Sequence, residues 1–527
     1  MRLTPSLRSL ALGLALASAL AGGAGAARIL ALFTIPGRSH FIVTSSLARA
    51  LAERGHEVVV VSPFTTSNPP ANYTDLTISD PMDTAAKTDF YSLGNLSPVA
   101  MLLYMWSMGV GMCRGNLADP KLKTLIHSKE KFDLVLLEAF FSDCLIGFAH
   151  RFNAPVVQLS AFVGAVWMGD WVGNPSPPAY VPDPFLDFSD RMSFKQRLVN
   201  TALGVLERAG RAYYYLPGMD AAMREGFEDP DMPYIADIER RTSVVLVNSH
   251  FSVSYPRPAV PAYVQVGGLH IKKPKPLPQE LRAWLDAAPA EGFIYFSMGS
   301  NLRSADMPAA KREAFLRAFA ALPQRVLWKW EEDTLPGQPP NVRLAKWLPQ
   351  QDILAHPKLR LFITHGGLMS TQEAVYHGVP VVGIPIFGDQ QLNMNRAAAA
   401  GIGVALNFQD VTAEALGATL RRVLGDATYR QAAKRLSAVF HDRPRPPMEE
   451  AVYWTEYVIR HGGAHHLRSA ALEVGWWQYL LLDVAAALAA AAALVAALAW
   501  LAARALLRRL CGGGGGRGRV KPSDKRD

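Results

Sequence analysis

Cysteine is nearly absent from this chain: three in 527 residues, at Cys113, Cys144 and Cys511. A disulfide framework is thereby excluded, and large apolar cores must supply the stability. No run of Cys and His has metal-ligand spacing, so no metal site and no cofactor are expected. An excess of charge is also missing from most of the chain. The formal charge of +9 would ordinarily suggest a polyanionic partner, but residues 1–27 carry +2 and residues 504–527 carry +6, leaving +1 for residues 28–503. Nucleic acid is therefore not an expected partner. Half of the residues are apolar, too many for a disordered chain, and the length exceeds one ordinary core, so two or more domains are expected.

The two ends explain where the charge sits. Arg2 and Arg8 precede a short apolar run, Leu10 to Ala21, and small residues around Ala24-Gly25-Ala26. This pattern predicts a cleaved secretory signal over residues 1–26. Near the other end, residues 484–503 contain no charge and match the ~20 residues a helix needs to cross a bilayer core. Trp476, Trp477 and Tyr479 stand before this run, and Arg504, Arg508 and Arg509 follow it. Those flanks predict a single-pass type I anchor with a basic cytoplasmic tail over 504–527 and a lumenal body. Gly512 to Gly516 reads as a flexible spacer. In a lumenal body Asn72-Tyr73-Thr74 is a usable glycosylation sequon, better than Asn95-Leu96-Ser97, which Pro98 follows.

Between the ends, strand and helix signals alternate. Ile29–Thr34 is apolar, Pro36-Gly37 is a turn, Phe41–Arg54 has helical apolar spacing closed by Gly55, and Glu57–Ser62 reads EVVVVS. That is a βαβ unit of a parallel sheet. Phe132–Leu137, Ala154–Leu159 and Ser243–Val247 add strands. The stretch 165–240 is less regular, with a Pro-rich loop at 174–184 and aromatics at Tyr213–Tyr215; together with the Met-rich stretch Met101–Met112 it would suit apolar small molecules. Lys272-Lys273-Pro274-Lys275-Pro276 then reads as a linker. A second series follows at Gly292–Ser297, Arg325–Lys329, Asn341–Ala345, Arg360–Thr364, Pro380–Ile384 and Gly403–Leu406. The expected fold class is α/β, two doubly wound Rossmann-like domains facing a cleft, plus a C-terminal transmembrane helix. The expected domains are 27–271 and 279–445, joined by a linker at 272–278 and followed by a membrane-proximal segment at 446–483.

The chemistry concentrates between Phe362 and Gln390, FITHGGLMSTQEAVYHGVPVVGIPIFGDQ. A strand ends at Thr364 and His365-Gly366-Gly367 turns into a helix, whose exposed N–H groups and dipole suit a phosphate. Ser370 and Glu373 share a face of that helix, and Glu373 is placed to accept from the two hydroxyls of a ribose. Asp389 and Gln390 follow the next strand, where they could receive the hydroxyls of a hexose. On the residues alone this is a nucleotide-binding βαβ.

These residues, with Trp347-Leu348-Pro349-Gln350-Gln351-Asp352 upstream, resemble the signature of the UDP-glycosyltransferase family, which has the two-domain GT-B fold. The resemblance covers most of residues 28–503 and is closest to the membrane-anchored animal branch, particularly its insect-type members. It implies that Trp347 stacks on uracil, Gln350 pairs with base or ribose, and Glu373 holds the ribose. It further implies that Ser297, Gly299, Ser300, His365, Gly367 and Ser370 line the diphosphate and that Asp389 and Gln390 hold the sugar. His40, in the strand–turn–helix position of the family's catalytic base, would be that base. A base of this type needs a carboxylate behind it. The family usually has an Asp at the end of the strand corresponding to Phe132–Leu137; here Glu138 stands there and Asp143 lies five residues on, and residue type favours Asp143. The implied partners are a UDP-sugar, with UDP-glucose expected over UDP-glucuronate, and a small lipophilic hydroxyl-bearing acceptor. The expected location is the endoplasmic reticulum membrane; homo-oligomerisation is left open. Asp229-Pro230-Asp231 fits the metal-binding D-x-D pattern but reads better as solvated turn acids.

Overall fold

The computed structural model describes residues 25–80 and 89–512. The signal over residues 1–26 and the tail beyond Gly512 therefore lie mostly or wholly outside the described residues. Those described form two compact units, a body ending at Ser469 and a C-terminal segment beginning at Ala470.

The body holds two all-parallel sheets. The first contains β1 (Arg28–Leu32), β2 (Glu57–Ser62), β3 (Tyr73–Thr77), β4 (Leu134–Glu138), β5 (Val156–Ser160), β6 (Thr242–Val247) and β7 (Tyr263–Gln265), in the spatial order 3-2-1-4-5-6-7. The second contains β8 (Phe293–Ser297), β9 (Arg325–Lys329), β10 (Val342–Ala345), β11 (Leu359–Thr364), β12 (Val381–Gly383) and β13 (Gly403–Ala405), in the order 10-9-8-11-12-13. Their central strands are buried on both faces, which is why they read as unbroken apolar runs such as LVLLE and FIYFS. Each order reverses once, between β1 and β4 and between β8 and β11. Such reversals open a crevice beyond the carboxyl ends of the strands. Residues 271–278 have no regular structure, as expected of the linker, but two of their N–H groups are fastened to the second half. Lys272 donates to Gln351 at 2.9 Å and Lys275 to Asp352 at 2.7 Å.

Several expectations need correction. The edge strands β3 and β7 went unread; they are short, and β3 is mostly half-exposed, so neither carries a strong apolar signal. The stretch 165–240 is largely helical, with Phe194–Gly210 running through a π turn at Arg211–Tyr215 into Leu216–Phe227. A disulfide does form, Cys113–Cys144, tying the helix Pro98–Ala118 to the loop after β4. The beginning of segment 446–483 does not stand apart either: the helix Pro447–Arg460 returns to the first half, burying Ala451, Val452 and Val458 in the core behind β1 and β2. Glu456 there accepts from Arg54 at 2.5 Å.

In the C-terminal segment, Leu482–Gly512 is one helix, longer at both ends than the expected span at 484–503. Among the described residues it alone is long and apolar enough to cross a membrane.

Candidate active site

In the first half the site is built at the reversal between β1 and β4. After β1 the chain turns through Gly37, and His40 falls in the first turn of the helix Arg38–Glu53. Glu138 is the last residue of β4, one step beyond the Leu32–Leu137 pair. The two side chains meet there: His40 Nδ1 lies 2.6 Å from Glu138 Oε1. Glu138 is buried and its Oε2 has no partner, so the carboxylate is committed to the imidazole. The ring of Phe140 packs edge-on against His40 at 4.7 Å. With Nδ1 engaged, His40 offers Nε2 to the cleft it lines.

Asp143 is not the partner, contrary to the preference stated from residue type. Past Glu138 the chain doubles back, with Phe140 N–H donating to Glu138 O and Phe141 at φ +44°. Asp143 is carried into a buried cluster, where it accepts from Arg211 at 2.8 Å and from the Tyr215 hydroxyl. Burial alone would raise its carboxyl, but the Arg211 guanidinium and these hydrogen bonds hold it below the usual range. Glu239 shares Arg211, and burial pushes its carboxyl up to about 8. Strand register decided the pairing, and the longer Glu side chain reaches.

In the second half the reversal between β8 and β11 does the equivalent work. His365 follows β11, and its ring is wedged between two glycines. A Cβ on Gly299 or on Gly367 would come within 2.5 Å of that imidazole. Gly299 also has φ +85°, a conformation glycine adopts freely. Burial, with Lys329 nearby, pushes His365 down to about 4, so at neutral pH it offers a hydrogen bond and no charge. Its buried Nδ1 has no partner. Gly367 caps the helix Leu368–Tyr376, whose first-turn N–H groups have no intrahelical acceptor. On that helix Glu373 is buried and accepts from Gln350 at 2.6 Å and from Gln351 at 3.0 Å. Gln350 also donates to Ser370 at 3.1 Å. Trp347 stands 63% exposed at the rim, a flat ring free to stack.

Asp389 follows Gly388 and accepts from Asn393 at 3.1 Å. Burial raises its carboxyl, while Asn393 and His40 oppose that rise. His40 thus acts on an acid of the opposite half. Gln390 spends its Oε1 on the N–H groups of Ile386 and Phe387, at 2.8 and 3.2 Å, leaving Nε2 for a ligand.

One cavity of about 550 Å³ takes in His40 and all eleven expected donor residues. It also includes groups that sequence reasoning missed. Lys329, at the end of β9 and paired with Glu331 at 2.7 Å, could have been found from its place at a strand's carboxyl end. Phe140, Phe162, Phe185 and Phe387 come from separate loops and share no local pattern. Of the Met-rich stretch only Met105 lines the cavity. Tyr213 and Tyr214 point outward and Tyr215 is in the Asp143 cluster, so the expected role of these aromatics in the pocket is not met. Asp229 and Asp231 sit in a surface turn outside it.

Comparison with known proteins places this geometry. The family described as UDP-glucoronosyl and UDP-glucosyl transferase matches residues 30–516. UDP-glucosyltransferase 2 of Dactylopius coccus is 40% identical over 89% of this chain and 91% of its own length. Human 2-hydroxyacylsphingosine 1-beta-galactosyltransferase is 34% identical over 88% of this chain and 86% of its own. Human UDP-glucuronosyltransferase 1A8 is 34% identical over 85% and 86%. Among solved structures, glycosyltransferase VinC in complex with DTDP superposes with a TM-score of 0.58 at 19% identity, covering 82% of this chain and all of that one. UDP-glucose: anthocyanidin 3-O-glucosyltransferase in complex with UDP gives 0.54 at 19%, covering 82% and 99%. These likenesses identify the fold as GT-B.

Proposed function

Because the chain belongs to the UDP-glucoronosyl and UDP-glucosyl transferase family and is a UDP-glycosyltransferase, we propose that it moves a hexose, glucose by preference, from its UDP-sugar to a hydroxyl of a small lipophilic acceptor. The observation that carries this reading is the His40–Glu138 pair facing Asp389 across one cavity. His40 Nε2 takes the acceptor's hydroxyl proton as that oxygen bonds to the anomeric carbon. The bond from that carbon to the β-phosphate oxygen breaks, and UDP leaves from the opposite face. Configuration inverts, giving a β-glycoside from an α-linked donor. Glu138 fixes the imidazole and stabilises the imidazolium that forms. The leaving diphosphate is received by the N–H groups at Gly367–Ser370, by a hydrogen bond from neutral His365, and by Ser297, Gly299 and Ser300. Trp347 stacks on uracil, Gln350 takes base or ribose, and Glu373 exchanges an amide partner for the ribose hydroxyls. Asp389 and the free Nε2 of Gln390 hold the sugar.

A glucuronate carboxylate would call for a dedicated cation beside Asp389 and Gln390; of the lysines lining the cavity, Lys329 is neutralised by Glu331, and Lys272, Lys273 and Lys275 belong to the linker fastened beside Gln351 and Asp352. This supports UDP-glucose. The Leu482–Gly512 helix supports anchoring in a membrane. The Cys113–Cys144 bridge supports an oxidising lumen, as in the endoplasmic reticulum, around the body; Asn72, exposed beside β3, would then carry glycan. Microsomes holding the protein, given labelled UDP-glucose or UDP-glucuronate and a panel of phenols, test the donor. Transfer of glucose to a β-linked product is expected; transfer from UDP-glucuronate alone would overturn that choice.

A further inference from the structure

His270 is wholly buried, yet neither nitrogen of its ring has a hydrogen-bond partner. An imidazole shut away in this state costs stability, and a position with no use for the two nitrogens would be better filled by an apolar side chain. The ring also borders the cavity that holds the donor residues.

The chain delivers His270 there through a tight turn. Beyond β7, Gly267 lies so close to Ser249 that a Cβ would come within 2.6 Å of the Ser249 carbonyl. Gly268 takes φ +89°, and its N–H donates to Asn248 Oδ1 at 3.2 Å. From the second half, Arg443 donates to Gly267 O at 2.9 Å and Gln351 to His270 O at 3.4 Å. Two residues on, the Lys272 N–H is held by Gln351 as well. The backbone is thus pinned on both sides of His270, and the ring is set in place before any ligand arrives, as a binding group should be.

What the ring faces identifies the ligand. His270 Nε2 lies 3.3 Å from Glu373 Oε1, out of line for a hydrogen bond. A carboxylate at that distance favours the tautomer with its hydrogen on Nε2. Glu373 then offers only acceptors and His270 Nε2 only a donor. A hydroxyl answers both, giving its hydrogen to the carboxylate and a lone pair to the imidazole N–H. A phosphate oxygen answers only the second, and the carboxylate repels it.

We propose that His270 is a donor-binding residue supplied by the first half: together with Glu373 it holds one of the two ribose hydroxyls of the UDP-sugar, its Nε2–H donating to the oxygen whose hydrogen Glu373 accepts. The inference rests on the reading of Glu373 as the residue that holds the ribose. A nucleotide lacking that hydroxyl leaves both buried groups unpaired and binds more weakly, so the pair selects ribose over deoxyribose. The ribose also becomes a bridge, since Glu373 belongs to the second half and His270 to the first.

The test measures the affinity of the full chain in detergent for UDP, 2′-deoxy-UDP and 3′-deoxy-UDP. It compares the wild type with His270→Phe, which keeps the shape of the ring, and with the smaller His270→Leu. The wild type should bind one of the deoxy nucleotides about tenfold more weakly than UDP, or weaker still. Both variants should melt no lower than the wild type, because an unpartnered polar ring has been removed. Their affinity for UDP should fall about threefold to tenfold, while their affinity for that deoxy nucleotide stays close to the wild-type value. Unchanged affinity for UDP, or an equal loss for all three nucleotides, would overturn the proposal. So would a lowered melting temperature in both variants, which would mark His270 as a packing group. A wild type that binds all three nucleotides alike would instead overturn the reading of Glu373 as the ribose holder.

Discussion

The two halves of the body use the same device, a reversal of strand order in a parallel sheet, yet they assemble their sites differently. In the second half, strand end, glycine turn, helix and next strand end follow one another from Thr364 to Gln390, so six of the eleven donor residues lie within one stretch of chain. In the first half, His40 and Glu138 are 98 residues apart and meet only because β1 lies beside β4. The cavity wall around them comes from loops held by long-range ties, namely the Cys113–Cys144 bridge, the Asp143–Arg211–Glu239 cluster and the hydrogen bonds from Asn200 to Pro178 and Val181. Much of donor recognition is therefore concentrated in one stretch of chain, whereas placement of the base is a property of the whole fold.

Exchanging the two acids of the first half sharpens this contrast most. Glu138→Gln should lower kcat on the order of 10³–10⁴-fold, since the amide no longer stabilises the imidazolium, while the melting temperature changes little. Asp143→Asn should do the reverse, costing about 3–5 kcal/mol of stability by leaving Arg211 and Glu239 imperfectly paired, with the turnover of the folded fraction retained. Rate measurement and thermal melting on both variants separate them. Next in size is the disulfide, whose removal by Cys113→Ser with Cys144→Ser should lower the stability of the body by about 3–4 kcal/mol for a loop of this length in the chain-entropy model; chemical denaturation reads it.

In the second half, Glu373→Ala should raise the donor KM about tenfold to a hundredfold, the worth of hydrogen bonds to a charged group, and leave the acceptor KM unchanged. The smallest effect is with pH. His365 is held at about 4 in the folded body, against about 6.5 when unfolded. The unfolded chain then binds more protons between these values, so stability is full above pH 6.5 and falls on acidification, by about 2 kcal/mol at pH 5 from this group. His250, also lowered to about 4 by burial and Arg443, adds to the same slope. Denaturation against pH should show a shallower slope in His365→Gln.

The difference between the halves also explains what could be read in advance. The two series of strands, the linker and the donor residues were legible because a βαβ unit writes its strand end and helix start side by side. His40 was legible from its turn and from family resemblance. The choice between Glu138 and Asp143 was not, because five residues of chain say nothing of where the turn at Phe140–Phe141 sends each side chain. The edge strands β3 and β7 are too short, and β3 too exposed, to stand out. Tyr213 and Tyr214 misled because an aromatic run reads alike whether it lines a cavity or faces outward. The bridge between Cys113 and Cys144, 31 residues apart, depends on a helix packing that no local pattern announces.

The central claim is that one cavity joins a UDP-sugar held by the second half to a base held by the first. Transfer from labelled UDP-glucose by His40→Ala, measured beside its binding of UDP, tests that claim most directly. Transfer should fall about 10²–10⁴-fold, the usual worth of a positioned general base, with UDP affinity unchanged. Wild-type turnover by His40→Ala would contradict the account.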